Sequence, residues 1–388
     1  EPERIEVEAS AGLYTIEADT VAANLERRQA PPPCMTWNDT LGNMRALDLW
    51  RQSIGLTFDC EQEAALRRPF TIAPSARRPL PRMRYGEVEG VGKPISRLVL
   101  GTMVLARADI AFTCALLDHF VELGGNCFDT AYVYRTEAIL GRWLKLRNNR
   151  ERMVVIGKGA HTPHCHPEGL TRELLETLQR LDSEYVDLYL LHRDNPRVPV
   201  GEFVDCLDEH RRAGRIRAYG GSNWSLERLE EANAYAVRHG RTPFAASSPN
   251  LALAVWNEPM WAGCVAASDP ASRAWYQRTQ MPLFAWSSQA SGFFTGRYRP
   301  EDASDPACAE VARTWFNDAN WQRLERAQDL AARKGVTATQ VALAYVLEQP
   351  LNVFALIGPR TLEETRTSAQ ALEVRLKPEE LAWLNLEA

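Results

Sequence analysis

The chain lacks a long hydrophobic run. Its apolar stretches are short and strand-like, as in Met153-Val154-Val155-Ile156, whereas a membrane-spanning helix needs about 20 apolar residues in succession. No membrane partner is expected. An excess of positive charge is also missing: 45 Lys and Arg stand against 50 Asp and Glu, for a formal net charge of −5 over 388 residues. Such a chain projects no global field to hold nucleic acid or an anionic lipid surface. Its eight cysteines (Cys34, Cys60, Cys114, Cys127, Cys165, Cys206, Cys264 and Cys308) contain no Cys-x-x-Cys pair. In a chain this long they need not staple anything, so they read as reduced thiols of a cytoplasmic protein. There is no Gly-x-Gly-x-x-Gly fingerprint, which counts against a Rossmann dinucleotide site. A serine nucleophile elbow and a metal triad are absent too. The first residue is Glu rather than Met, and Glu-Pro-Glu-Arg-Ile-Glu-Val-Glu offers no secretory apolar segment.

The remaining composition, 45% hydrophobic and 24% charged, is that of a globular protein, which argues against disordered or collagen-like classes. A shift occurs over residues 63–83. Residues 67–82 hold four prolines and five arginines. Proline removes backbone donors and favours extended structure, so 63–83 reads as a solvated linker. Residues 1–62 precede it and read as an α+β fragment. It has a short strand at 12–16, a helix at 19–28 and a second helix at 39–53 carrying Leu41, Met44, Leu47, Leu49 and Trp50. Sixty residues make only a marginal core alone, so this segment is expected to pack on something.

After the linker, apolar β-branched runs alternate with helical patterns over residues 84–388. Strands are expected at 98–103, 126–129, 153–158, 186–192, 217–222, 242–247, 281–287 and 352–357. Helices are expected at 110–123, 136–147, 171–181, 201–212, 226–239, 270–280, 321–334, 337–348 and 362–372. Eight strands alternating with helices over some three hundred residues favour a closed (β/α)8 TIM barrel, an α/β fold. A strand pair within 83–97 is expected to plug its floor.

In such a barrel the residues at the C-terminal strand ends face the active site. Those ends carry Asp129, Lys158 and His192, and Tyr134 lies five residues beyond Asp129. Each alone has a bland reading as a salt bridge or a structural histidine. Together they make one machine. A phenol titrates near 10 unperturbed. A nearby Lys158 ammonium favours the phenolate and lowers that value. Asp129 would hold Lys158, and His192 would orient a substrate oxygen. Such a tyrosine can protonate a carbonyl oxygen as hydride reaches carbon, or take the proton in reverse.

Phe128-Asp129-Thr130-Ala131-Tyr132-Val133-Tyr134, Gly157-Lys158, Asp187-Leu188-Tyr189-Leu190-Leu191-His192 and Gly220-Gly221-Ser222-Asn223-Trp224 appear in this order. They resemble the aldo-keto reductase family across about residues 84–388. The resemblance implies a (β/α)8 barrel that binds NADP(H), with NAD(H) as the alternative, and transfers hydride to or from an aldehyde, ketone or sugar. It implies a catalytic set of Asp129, Tyr134, Lys158 and His192. Ser222 and Asn223 match the pair that holds the nicotinamide carboxamide. Asn250 stands near where many members carry Gln for the same amide, although Ser247-Ser248-Pro249-Asn250 departs from the usual pattern. Trp286 matches the aromatic that stacks on nicotinamide. Ser287, Gln289, Gly292 and Arg297 fall in the loop over the pyrophosphate. Ile357-Gly358-Pro359-Arg360-Thr361 resembles the last-strand motif, with Gly358 in the turn and Arg360 on a 2′-phosphate, whose geometry suits a guanidinium fork. Glu364 and Ser368 face the adenine side.

Trp224, Trp256 and Trp261 are assigned to the substrate pocket, since rings stack on sugar or apolar faces. His161, His164, Cys165 and His166 cluster after the third strand but match no closed zinc spacing. They read as a substrate-facing loop, with no metal. Cys127 reads as core.

Gly12-Leu13-Tyr14-Thr15-Ile16-Glu17-Ala18-Asp19, Trp37-Asn38-Asp39-Thr40-Leu41-Gly42-Asn43-Met44 and Leu47-Asp48-Leu49-Trp50-Arg51 resemble the C-terminal end of the glucose–fructose oxidoreductase/inositol dehydrogenase family. That resemblance implies a fusion whose nucleotide-binding dehydrogenase half is missing here, and it assigns no active-site residue to 1–62. Two functions compete: an NADP(H)-dependent oxidoreductase, and a non-catalytic NADP(H)-binding barrel that regulates or docks a partner. Neither sets an oligomeric state.

Overall fold

The computed structural model describes residues 8–27, 29–71 and 81–387. Part of the expected linker, 72–80, lies outside the described residues. The chain divides into two compact units, Glu1–Ala65 and Leu66–Ala388.

Among its described residues the first unit is helical, with no strand. Helix α1 spans Leu13–Ala23 and α2 spans Trp37–Ser53. A last short helix, α3 (Glu63–Leu66), crosses into the second unit. The strand expected at 12–16 is thus corrected to the first turn of α1, where the Thr15 and Ile16 amides both bond the Gly12 carbonyl. A lone strand leaves its backbone groups unpaired, and no neighbouring strand exists among the described residues of this unit to take them, so the segment satisfies them internally as a helix. Helix α2 starts two residues earlier than expected because Thr36 and Asp39 form a reciprocal capping box.

The second unit is a closed parallel barrel of eight strands. A two-stranded antiparallel pair, β1 (Tyr85–Gly86) and β2 (Ile95–Ser96), precedes it. The barrel strands are β3 (Leu98–Gly101), β4 (Cys127–Asp129), β5 (Val154–Gly159), β6 (Val186–Leu191), β7 (Ile216–Ser222), β8 (Ala246–Ser248), β9 (Leu283–Ala285) and β10 (Val353–Ile357). β10 closes onto β3 through Ala355↔Leu98 and its two successors. The surrounding helices are α4 (Ile110–Glu122), α5 (Glu137–Arg147), α6 (Pro167–Leu181), α7 (Val200–Arg212), α8 (Leu226–Arg238), α9 (Pro270–Thr279), α10 (Ala309–Trp315), α11 (Asp318–Lys334), α12 (Ala338–Leu347), α13 (Leu362–Gln370) and α14 (Pro378–Leu384). Helices α10 and α14 have no counterpart among the expected elements. Helix α6 starts four residues early because Pro167 occupies its first position, and the His166 ring accepts from the Gly169 amide.

Alternation along the strands splits the core in two. Val99, Cys127, Val154, Ile156, Leu188, Leu190, Ala218, Ala246, Phe284, Phe354 and Leu356 fill the barrel interior. The out-of-phase residues, such as Leu100, Phe128, Val155 and Tyr189, pack against the helices. Val88, Val91 and Ile95 of the β1–β2 segment join the inner cluster. Lys93 pins this plug to the floor through the Met153 carbonyl at 2.9 Å and Asp187 at 2.6 Å.

Candidate functional site

The same two-residue period that fills the barrel aims polar side chains at its mouth. Cys127 leads to Asp129, Ile156 to Lys158, and Leu190 to His192, each two residues on and therefore on the inner face. Ala218 leads through Gly220 to Ser222, Ala246 through Ser248 to Asn250, and Phe284 to Trp286 by the same count. The mouth is the continuation of the core with polar residues substituted.

Lys158 and Asp129 form a buried salt bridge through Nζ and Oδ1. The Lys158 ammonium sits 5.3 Å from the centroid of the Tyr134 ring. That ring meets His192 edge-on at 5.8 Å and 90°. All four expected groups are brought together. Asp129 Oδ2 and His192 Nδ1 are buried without a hydrogen-bond partner among the described residues.

Burial raises the Asp129 carboxyl above the usual range, although Lys158 opposes the rise. Burial works against the Lys158 ammonium, but Asp129 and Tyr134 together lift its pKa. Tyr134 departs from the sequence expectation. Its phenol is pushed up, because burial outweighs the lowering by Lys158. Burial, helped by Lys158, holds His192 well below its ordinary value, so its imidazole is neutral at pH 7. A neutral imidazole both donates and accepts.

Tyr134 ends a short 3-10 turn, Tyr132–Tyr134, that is clamped from behind. Arg180 of α6 lies 4.4 Å from the Tyr132 ring centroid and bonds Glu176 at 2.9 Å. Tyr132 donates to the same carboxylate at 2.9 Å. On the other side Thr102, Thr130 and Thr136 interlock, Thr102 reaching the Asp129 carbonyl at 3.0 Å.

The residues expected to hold a cofactor form an arc from β7 to α13. Ser222 and Asn223 are buried, with the Asn223 amide donating to Ser222 Oγ at 3.1 Å. The Asn223 oxygen accepts from Trp286 Nε1 at 3.2 Å, so both ends of this amide have protein partners. Asn250 donates to the Trp286 carbonyl at 2.9 Å. Ser287, Ala290, Ser291 and Gly292 all have positive φ. Successive amides in such turns line a concavity suited to anions. Gln289 lies within this stretch, and Arg297 folds back on it, donating to the Ser291 carbonyl at 3.1 Å. Beyond Gly358, the Arg360 guanidinium is exposed, and Glu364 accepts from the Arg360 amide at 2.6 Å. Ser368 is buried on α13.

Trp256 and Trp261 each approach Trp286, with centroids 5.8 Å apart in both pairs. Trp224 does not join them, and its assignment to the pocket is corrected. It is 1% exposed, packs on Phe203 and Phe244, and donates to the Arg193 carbonyl at 3.2 Å. It lies one residue past the positive-φ Asn223, which turns it out of the mouth and into the strand–helix layer. The His161–His166 loop is dispersed. His164 meets Glu173 at 3.1 Å, His166 meets Glu168 at 2.8 Å, and Cys165 donates to the Arg193 carbonyl. Only His161 reaches the site, edge-on to His192 at 5.0 Å. No group of three or more His, Cys, Asp or Glu poised for a metal occurs among the described residues. Arg193 is the neighbour that the sequence reading passes over. It is buried beside His192 and donates to the His192 carbonyl at 2.8 Å. The available signal is a basic residue directly after a strand-end histidine.

Comparison with known proteins bears on this geometry. The aldo/keto reductase family profile matches residues 97–385. An uncharacterized oxidoreductase, YrpG of Bacillus subtilis, is 28% identical over 78% of this chain and 95% of its own length. Norsolorinic acid reductase stcV of Emericella nidulans is 28% identical over 80% of this chain and 83% of its own. Among solved structures, the thermostable aldo-keto reductase Tm1743, in complex with the inhibitor epalrestat, superposes with a TM-score of 0.61. It has 25% identity and covers 79% of this chain and 100% of its own. With its eight-stranded barrel and strand-end polar cluster, this chain belongs to the aldo/keto reductase family and is an oxidoreductase of that family.

Proposed function

We propose that the barrel transfers hydride between NADP(H) and a carbonyl or alcohol substrate (an aldehyde, ketone or sugar), with Tyr134 as general acid/base. One observation carries this reading: Tyr134, Lys158, Asp129 and His192 share one mouth, and their side chains are in contact. The bound nicotinamide would supply the hydride. The left-handed Ala290–Gly292 turn and the exposed Arg360 suit an anionic dinucleotide. Trp286 offers a half-buried ring for stacking, and Ser222, Asn223 and Asn250 supply amide and hydroxyl groups beside it. Arg360 favours NADP(H) over NAD(H), since a guanidinium fork fits a 2′-phosphate.

Tyr134 would give its proton to the substrate oxygen during reduction and recover it in the reverse reaction. The phenol, raised by burial, stays protonated and is ready to donate. Lys158, held by Asp129, stabilises the phenolate left behind. Neutral His192 donates a hydrogen bond to the same substrate oxygen and orients it. Residues 1–62 are read as the end of a glucose–fructose oxidoreductase-like domain on their Gly12–Asp19, Trp37–Met44 and Leu47–Arg51 motifs, with 63–83 as linker and 84–388 as barrel. The test is fluorescence titration with NADPH and NADH, followed by a panel of aldehydes, ketones and sugars. Turnover of any compound supports the oxidoreductase. Cofactor binding with no turnover favours a docking module instead.

A further inference from the structure

Arg193 is 7% exposed and has no carboxylate partner among the described residues. The adjacent Asp194 pairs with Arg228 instead, which bonds its two oxygens at 2.9 and 3.0 Å. One terminal nitrogen of Arg193 donates to the His192 carbonyl. Its other donors have no protein partner among the described residues, and they are not among the sealed polar atoms, unlike His192 Nδ1. Burying a cation without a counter-charge is costly, and native structures normally supply one. Here the protein supplies a carbonyl dipole and leaves most of the fork open.

The position of this charge is constrained. Arg193 Cδ and Nε lie 3.6 and 3.9 Å from where a β-carbon on Gly263 would sit. Gly263 belongs to the loop that carries Trp261 and bonds Asn223 Oδ1 through the Val265 amide at 3.3 Å. The guanidinium is therefore held between the His192 strand end and the loop bordering the Trp286 cluster. Its charge reaches the reacting groups, acting to lower both His192 and Tyr134.

We propose that Arg193 anchors an anion subsite at the barrel mouth, and that the substrate is a carbonyl or alcohol compound bearing a carboxylate. A planar fork with free donors matches a carboxylate through two parallel hydrogen bonds. The carboxylate supplies the missing counter-charge and fixes the reacting carbon next to Tyr134 and His192. This inference rests on the oxidoreductase reading for its kinetic arm but not for its binding arm.

The test uses the full chain and matched probes. Initial rates with NADPH are measured for benzaldehyde and for 3- and 4-carboxybenzaldehyde, in the wild type, Arg193→Gln and Arg193→Lys. In the wild type, kcat/KM for at least one carboxylated aldehyde exceeds that for benzaldehyde tenfold or more. Arg193→Gln cuts that ratio at least tenfold, through KM. Arg193→Lys keeps part of it, because a charge remains. The NADPH dissociation constant moves less than twofold in both variants. A wild-type ratio at or below one overturns the proposal, as does an equal loss for both substrate types. A fall in NADPH affinity large enough to explain the loss also overturns it, placing Arg193 on the cofactor side. The second arm needs no turnover: benzoate and benzamide are titrated against the NADP+-loaded protein by tryptophan fluorescence. Benzoate binds at least tenfold tighter in the wild type, and the preference vanishes in Arg193→Gln. Equal binding overturns the subsite. Failure of every aldehyde to react, with the benzoate preference intact, sinks only the oxidoreductase reading.

Discussion

Helices α2 and α12 begin on the same local device. Thr36 with Asp39 and Thr337 with Gln340 both form capping boxes. Past their first turns the two helices diverge. None of the seventeen residues of α2 is buried, and its Trp50 is 65% exposed. In α12, eight of ten residues are buried between the barrel and neighbouring helices. The capping box is a local hydrogen-bond device, so sequence alone can start either helix. Stability comes from apolar area removed from water, which only a packed neighbour provides. The barrel unit therefore carries both the stable core and the candidate site, whereas the first unit shows helix without core among its described residues.

The largest expected effect sharpens the functional side of this contrast. Tyr134→Phe should lower kcat/KM for carbonyl reduction by about 10²–10⁴-fold, with the melting temperature little changed. Steady-state rates on the best panel substrate, beside thermal melts, check both parts. A variant that keeps wild-type turnover removes Tyr134 from the chemistry. The structural side is tested by truncating one tryptophan in each unit. Trp143, fully buried and bonded to Asp118 at 2.8 Å, should cost about 3–5 kcal/mol as Trp143→Ala in urea unfolding. Trp50→Ala should change stability by less than about 0.5 kcal/mol. Comparable losses would mean that α2 is buried in solution.

A smaller effect concerns pH. Folded His192 titrates well below its ordinary value of 6.5, so below that pH the unfolded chain binds a proton that the folded chain refuses. Stability is then lost as pH falls from about 6.5, by up to about 1.4 kcal/mol per pH unit. His210, lowered mainly by burial, acts with the same sign. Chemical denaturation between pH 7.5 and 5.5 should show this slope, and His192→Gln should flatten it. An unchanged slope would assign the effect elsewhere. The smallest expected change comes from removing residues 1–65: kcat/KM should stay within about twofold, since no candidate site residue lies there. A large loss would break the division of labour between the units.

Much of the barrel is legible in the sequence because its signals are local. The strands expected at 153–158 and 186–192 agree within a residue at each end, since β-branched runs and alternation are written in neighbouring positions. The strand-end rule then exposes Asp129, Lys158 and His192. Three features stay hidden. The start of the helix at Leu13–Ala23 reads as a strand, because Tyr14, Thr15 and Ile16 favour strands only where a partner strand exists. Trp224 reads as pocket because a positive φ at Asn223, invisible in a residue list, reverses where the next side chain points. Arg193 carries no motif, and its significance lies in what surrounds it.

By itself the sequence determined the periodicities, and from them the eight-stranded barrel, the floor plug and the strand-end groups Asp129, Lys158 and His192. Only the tertiary structure decided their electrostatics. Nearby charge and burial push a phenol in opposite directions, and the balance at Tyr134 depends on how much water the fold removes. It likewise decided that Arg193 would stand buried with its fork open, because whether a charge finds a partner depends on residues far away along the chain.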